Sequence, residues 1–448
     1  MKPPRGHGLA RRLGVFDAML IVMGGIIGSG IFRNPAVVAQ RVHSSALIML
    51  VWILGGIVAL IGAGVFAELA ARHPAEGGVY GYLRDAFHPV VAFMYGWTLL
   101  LVSQSGGMAA AAVTFAGYFT PLTGLHVAPW ALAVLALALL TAVNCFGVRQ
   151  GGNVQNVFML LKIGAIALLI VVGLFGPSAS SAAQHQSSMN AIDGMGVAMI
   201  PVLFAYSGWQ TSSFVTAELH APRRSLPFGM LAGVGAVIVL YLLVNAVCVR
   251  VLGPAHLMST ATPASDVMRS VLGPVGERII ALAVALSTLG FLSNQILTSP
   301  RVYHAMARDR VFFSAVAWVH PKSRVPVVAI ALQGAVAIVI AVSGRYEQIL
   351  NYVTSIDYVF FGLAALALII FRIREKAGAT GFGLPGYPVT AIAFIVVAWA
   401  VVLDTYVTYP KNSLIGLAIL LIAVPIYFLF FKSEAGARGR TGFTRLER

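Results

Sequence analysis

Twelve apolar runs follow one another along this chain, at about 15–39, 46–70, 88–119, 129–147, 155–176, 191–217, 228–253, 277–307, 325–343, 346–371, 389–409 and 413–432. About 20 apolar residues in helical form cross a hydrocarbon layer of about 30 Å. No water serves the backbone inside that layer, so a crossing segment must satisfy its own amides and carbonyls as a helix. The expectation is an all-α polytopic membrane protein with twelve transmembrane helices. Composition agrees, since charged residues make up 10% of the chain, against about a quarter in a soluble domain. The connections are too short to hold a soluble domain. The chain therefore reads as one membrane domain over 1–432, followed by a disordered basic tail at 433–448.

The net charge of +15 invites a nucleic-acid reading, which its distribution opposes. With the N-terminus inside, 22 of the 30 Lys and Arg fall at the two termini and in the inner loops. They include Arg72, Arg84, Arg149, Arg223, Arg224, the 301–324 and 372–376 clusters and the basic tail. Seven lie on the opposite face, and Lys162 lies inside a span. This is the positive-inside bias of a multi-pass membrane protein, which puts both termini in the cytoplasm and suits a plasma membrane, a bacterial inner membrane in particular. No basic face is interleaved with exposed aromatics, so no nucleic-acid partner is expected. The basic start and the apolar run after it have the outline of a signal peptide. The run is too long for one and contains a glycine-rich interruption, which marks it as the first span. Cys145 and Cys248 both fall inside spans, and the histidines lack metal-ligand spacing, so neither a disulfide framework nor a metal is expected. No catalytic constellation and no cofactor motif is visible.

Two of the spans carry the wrong residues for a continuous helix, and they stand in matching places. The first span contains Gly24-Gly25-Ile26-Ile27-Gly28-Ser29-Gly30-Ile31-Phe32, and the sixth contains Phe204-Ala205-Tyr206-Ser207-Gly208-Trp209, preceded by Pro201. Helix breaks at membrane depth persist only against protein or a watery cavity, and paired breaks mark a transporter's substrate site. The polar connection 177–190 separates spans one to five from spans six to ten. Each set opens on a break, which is the pattern of two repeats of inverted topology, about 15–176 and 191–371, with spans eleven and twelve (about 389–432) outside them.

Each break has its own chemistry. At Gly28, Ser29 and Gly30, small residues let a ligand approach the backbone, and the half-helix that begins there offers amides and a positive dipole end to a carboxylate. Gly24 and Gly28 also form a small-xxx-small pair of the kind that packs helices closely. At Phe204, Ala205, Tyr206 and Ser207, unwinding frees carbonyls for an ammonium group. Donors at one break and acceptors at the other complement a zwitterion, an α-amino acid. Lys162 lies about two turns from the inner end of span five, where a charge costs about 2.5–3.5 kcal/mol unless it finds a partner. It either snorkels to the interface or bonds carbonyls of the first break, in the place a coupling cation would take. Four acids lie within spans. Glu68 and Glu218 are expected to pair with Arg72 and Arg223, Asp357 sits deeper, and Asp404 is the fourth. No acid adjoins either break in sequence, which favours neutral substrates.

These motifs resemble a known family. Gly25-Ile26-Ile27-Gly28-Ser29-Gly30-Ile31-Phe32 with Asn34-Pro35 is similar to the first helix of the amino acid–polyamine–organocation superfamily. Phe204-Ala205-Tyr206-Ser207-Gly208-Trp209, with Glu218-Leu219 and Leu226-Pro227, resembles its L-amino-acid transporter branch, bacterial serine/threonine exchangers in particular. Gly77-Gly78-Val79-Tyr80-Gly81-Tyr82, Gly96-Trp97, Thr298-Ser299-Pro300-Arg301 and His320-Pro321 extend the likeness over nearly the whole chain. The resemblance implies a LeuT-type fold of five-plus-five inverted repeats. It also implies alternating access and sodium-independent transport of neutral L-amino acids as an exchanger or proton-linked permease. By motif position Ile27 to Gly30 hold the substrate carboxylate and Phe204 to Ser207 its amino group. Lys162 matches a lysine that stands where sodium binds in sodium-coupled relatives. Trp209, Ser293, Asn294 and Asp357 are candidates for selectivity, with Ser293-Asn294 standing where related exchangers often carry Asn-Gly. The external connection at about 120–128 has no cysteine, so no disulfide-linked heavy subunit is expected. The alternatives are a cationic amino acid or polyamine carrier and a non-transporting amino acid sensor.

Overall fold

A computed structural model describes residues 13–123, 127–146, 148–179, 191–343, 346–375 and 382–430. The basic residues from Lys2 to Arg12, most of the 177–190 connection and the 433–448 tail lie outside them. The described residues form helices α1 (Val15–Ile26), α2 (Gly30–Val42), α3 (Ser45–Arg72), α4 (Val79–Ala86), α5 (Pro89–Thr98), α6 (Gln104–Thr123), α7 (Pro129–Cys145) and α8 (Val148–Phe175). The second half adds α9 (Ala191–Tyr206), α10 (Thr211–Phe214), α11 (Pro222–Ser259), α12 (Pro263–Thr298), α13 (Pro300–Arg308), α14 (Val327–Ser343), α15 (Tyr346–Arg374), α16 (Val389–Thr408) and α17 (Pro410–Phe430). Every expected apolar run coincides with one of these helices or with a pair of them.

Eight helical stretches among the described residues are long and apolar enough to cross a bilayer, and the bent pair α1–α2 makes a ninth. α7 and α14 are apolar but 17 residues long. Two helices outrun their expected spans. α11 and α12 continue past kinks at Gly253 and Gly273, each followed by proline within the repeated string Val-Leu-Gly-Pro, and so build a hairpin above the bundle. A proline ring removes one helical hydrogen bond and crowds the turn before it, which explains a kink at both places.

α1 is central, with every residue from Leu20 to Ile26 buried. The outer helices turn large apolar side chains such as Leu139, Val339, Val396 and Leu429 outward, as a hydrocarbon surround requires. The end of the bundle at which α1 begins, here called the base, is tied by charge. Glu68 of α3 accepts from Arg72 (2.6 Å), from Arg372 of α15 (2.7 Å) and from the Leu384 amide (2.7 Å). Arg84 of α4 meets Asp309 just after α13 at 2.5 Å. Glu218 pairs with Arg301 of α13 at 2.8 Å, with both residues no more than 2% exposed. This corrects the expected Glu218–Arg223 pair: Arg223 is exposed in the first turn of α11, and the chain turns away from Glu218 before that helix starts.

Candidate functional site

The first break is a short non-helical stretch, residues 27–29, between two half-helices. α1 ends at Ile26, α2 begins at Gly30, and the two axes differ by 44°. The last carbonyls of a helix and its first amides have no partner within the helix. Here the carbonyls find partners far away in sequence. The Lys162 ammonium, on α8 and fully buried, donates to the carbonyls of Ile27 (2.6 Å) and Gly24 (3.3 Å). Lys162 therefore stays inside the bundle and does not snorkel. A cation at a helix C-terminus also answers the negative end of the helix dipole. The Tyr241 hydroxyl lies within 3.1 Å of the Ile26 carbonyl and 3.3 Å of the Ala205 carbonyl, so one side chain of α11 serves both breaks.

The second break runs from Ser207 to Gln210, between α9 and α10. Gly208 has φ +122°, a region that only glycine occupies without strain. A Cβ there would lie 2.2 Å from the Gly25 carbonyl oxygen, so the two breaks touch backbone to backbone. Hydroxyls close this break locally. Ser207 donates to the Leu203 carbonyl (2.7 Å), Thr211 to Gly208 (2.8 Å), Ser212 to Trp209 (3.0 Å) and Ser213 to Gln210 (2.6 Å). The Gln210 side chain accepts from the Gly208 amide at 3.1 Å.

A cavity opens beside the contact. The first break lines it with Gly25, Ile26, Gly28, Ser29 and Gly30, and the second with Phe204, Ala205, Ser207, Gly208 and Gln210. Three further helices complete the wall: Gln104, Gly107, Ala110 and Ala111 of α6, with Ser103 just before it; Phe291 and Gln295 of α12; and Val353 and Asp357 of α15. Ser103 closes a π-helical turn, Leu99–Ser103, an irregularity common at functional sites.

The expected site residues divide accordingly. Gly28, Ser29, Gly30, Phe204, Ala205, Ser207 and Asp357 line the cavity. Ile27 faces Lys162. Tyr206 points away, packed against Trp52 and Tyr241 with ring centroids 5.6 and 5.1 Å apart. Trp209 packs on Phe361 at 5.3 Å. Ser293 is buried outside the lining, and Asn294 accepts from Gln155 at 3.1 Å beside Gly24. An acid does adjoin the breaks in space: Asp357 shares their cavity, brought there by α15 from about 150 residues beyond the second break. Asp404 is far from it in role, half-buried on α16 with Thr408 as its partner. Sequence reasoning missed Ser103, Gln104, Gln210, Phe291 and Gln295. For four of them the signal was present, since a polar side chain inside an apolar span faces the bundle interior or a cavity.

The family model for amino acid permeases matches residues 13–431. The chain belongs to the amino acid permease family. It is 31% identical over 443 residues to the large neutral amino acids transporter small subunit 2 of Mus musculus, covering 95% of this chain and 82% of that protein. It is 29% identical over 437 residues to the b(0,+)-type amino acid transporter 1 of Rattus norvegicus, covering 95% and 89%. It is 27% identical over 438 residues to a serine/threonine exchanger of Bacillus subtilis, covering 96% and 99%.

Proposed function

We propose that this permease carries L-amino acids across the plasma membrane by alternating access, without sodium, as an exchanger or a proton-linked permease. In this reading the chain makes twelve crossings in a LeuT-type arrangement of two inverted repeats plus two helices, with both termini cytoplasmic. The observation that carries it is the meeting of two helix breaks at one cavity. Residues at the start of α2 line that cavity from one side, and residues at the end of α9 line it from the other. The α-carboxylate of the substrate binds at Gly28, Ser29 and Gly30, and its ammonium at Phe204, Ala205 and Ser207. Lys162, bonded to Gly24 and Ile27, holds the first break where a cation would otherwise be needed and couples its shape to substrate arrival. Rocking of the helices around the cavity then exposes it to either face in turn. Substrate must bind the occluded state more tightly than the open ones, because a ligand of equal affinity for every state shifts none of them. No disulfide-linked heavy subunit is expected in this reading, because the external connection at about 120–128 has no cysteine.

The names of the relatives support amino acids as the substrate class. The carboxylate of Asp357 in the cavity keeps a second reading open, a carrier of cationic amino acids. Reconstitution in liposomes tests both, with labelled amino acids outside while internal counter-substrate, sodium and pH are varied in turn. Uptake stimulated by internal amino acid and indifferent to sodium is the expected outcome. Binding without any movement of label would instead make the protein a sensor. Gly28→Val and Gly30→Val should abolish binding while leaving the folded peak in gel filtration intact, and unchanged affinity in either would remove the carboxylate assignment.

A further inference from the structure

The cavity wall facing the two breaks is layered. α12 and α15 both descend to the base, where Arg301 meets Glu218 and Arg372 meets Glu68. α6 rises from it, since α4, just before α5, meets Asp309 there. Along each of these helices the residue nearer the base is polar and the residue one or two turns above is apolar. Gln295 lies one turn below Phe291, Asp357 one turn below Val353, and Ser103 and Gln104 below Ala110 and Ala111. Three separate helices therefore place their polar side chains at one level, which forms the floor of the cavity.

That floor is rich in acceptors. The Asp357 carboxylate has the Ser103 hydroxyl as its hydrogen-bond partner, and no Lys, Arg or His among the described residues forms an ion pair with it. Gln295 is 4% exposed and its amide oxygen has no hydrogen-bond partner. Gln104 is 3% exposed, and its amide oxygen accepts from Ser299 at 3.1 Å. A buried acceptor without a donor is costly, and a ligand in this cavity can supply the donor.

The geometry points to the floor of Asp357, Gln295 and Gln104 as the subsite for the substrate's side chain, which must carry a hydrogen-bond donor. This rests on the amino acid reading above, with the α-carboxylate and ammonium held by the two breaks. The shared chemistry is an O–H or N–H at the end of a side chain, whether hydroxyl, amide or ammonium. Purely apolar side chains leave the floor unanswered. A site built to hydrogen-bond a substrate group discriminates strongly against the analogue lacking it, whereas an apolar pocket separates near-isosteres weakly.

The test is competition for uptake in proteoliposomes. Serine, threonine, asparagine and lysine are compared with alanine, valine and leucine, in the parent and in Asp357→Asn, Asp357→Leu and Gln295→Leu. The parent should prefer at least one donor-bearing class over its apolar near-isostere (threonine over valine, asparagine over leucine) by about tenfold or more. Asp357→Leu should collapse or invert that ratio. Asp357→Asn keeps an acceptor, so it should retain threonine or asparagine but lose lysine at least about tenfold, which separates a neutral donor from a cationic one. If the parent carries amino acids yet prefers valine and leucine, or if the ratios in Asp357→Leu and Gln295→Leu match the parent's, the subsite assignment falls and the transport reading stands. If the parent moves no amino acid at all, the transport reading itself falls. Should Asp357→Leu fail to fold, the parent's own ratio and that of Gln295→Leu decide the matter.

Discussion

The two breaks do the same topological job and are held open in opposite ways. The first leans on the rest of the fold: Lys162 from α8 caps the Gly24 and Ile27 carbonyls, and Tyr241 from α11 caps that of Ile26. The second is held mostly by its own neighbours, a run of Ser and Thr hydroxyls bonding carbonyls three or four residues back. A break closed by a distant charge can respond to whatever shifts that helix. One closed by adjacent hydroxyls keeps its shape wherever it moves. The difference suggests which element deforms in the transport cycle and which travels as a unit.

The strongest way to break the comparison acts on both breaks at once. Gly208→Ala places a Cβ 2.2 Å from the Gly25 oxygen and forces φ +122° on a residue that resists it. Strain and overpacking together should cost about 3 kcal/mol or more, seen as loss of the monodisperse peak or a large fall in melting temperature. A protein that folds and transports normally with this change would mean that the breaks do not need their backbone contact. Next in size is Lys162→Met, which removes the charge and leaves two buried carbonyls uncapped. The stability loss should be about 1–3 kcal/mol, and exchange should fall far more than folding does, measured as melting temperature beside counter-flow rate. Parent-like exchange in Lys162→Met would make the first break as self-sufficient as the second. The smallest effect belongs to Ser207→Ala. The Leu203 carbonyl keeps the Tyr358 hydroxyl at 3.3 Å, so the loss should be about 1 kcal/mol or less, with uptake within a few-fold of the parent. A collapse of uptake there would show that the second break is not redundantly held, and the contrast would disappear.

The hydrophobic pattern made the helices legible, and the glycines, serines and Pro201 made both interruptions legible. These are local signals: residue type decides whether a segment tolerates lipid and whether it can stay helical. Lys162 was legible as a charge that had to find a partner. The rotation of each helix about its axis was not. Tyr206 and Trp209 belong to the second break yet turn into aromatic packing with Trp52, Tyr241 and Phe361. Ser293 and Asn294 stand between two cavity-lining residues, Phe291 and Gln295, on the same helix and face elsewhere. About 100° separates successive residues around a helix, so an error of one position removes a side chain from the site.

Residue order alone therefore determined which segments lie in a membrane and where two of them are interrupted, because transfer of each side chain to hydrocarbon and the helical preference of each backbone unit are properties of short stretches. Only the tertiary structure decided that the interruptions touch, that Glu218 finds Arg301, and that Asp357 and Gln295 share the cavity with both. Those outcomes depend on how helices far apart in sequence turn their faces to one another, and close packing of whole helices settles that rotation.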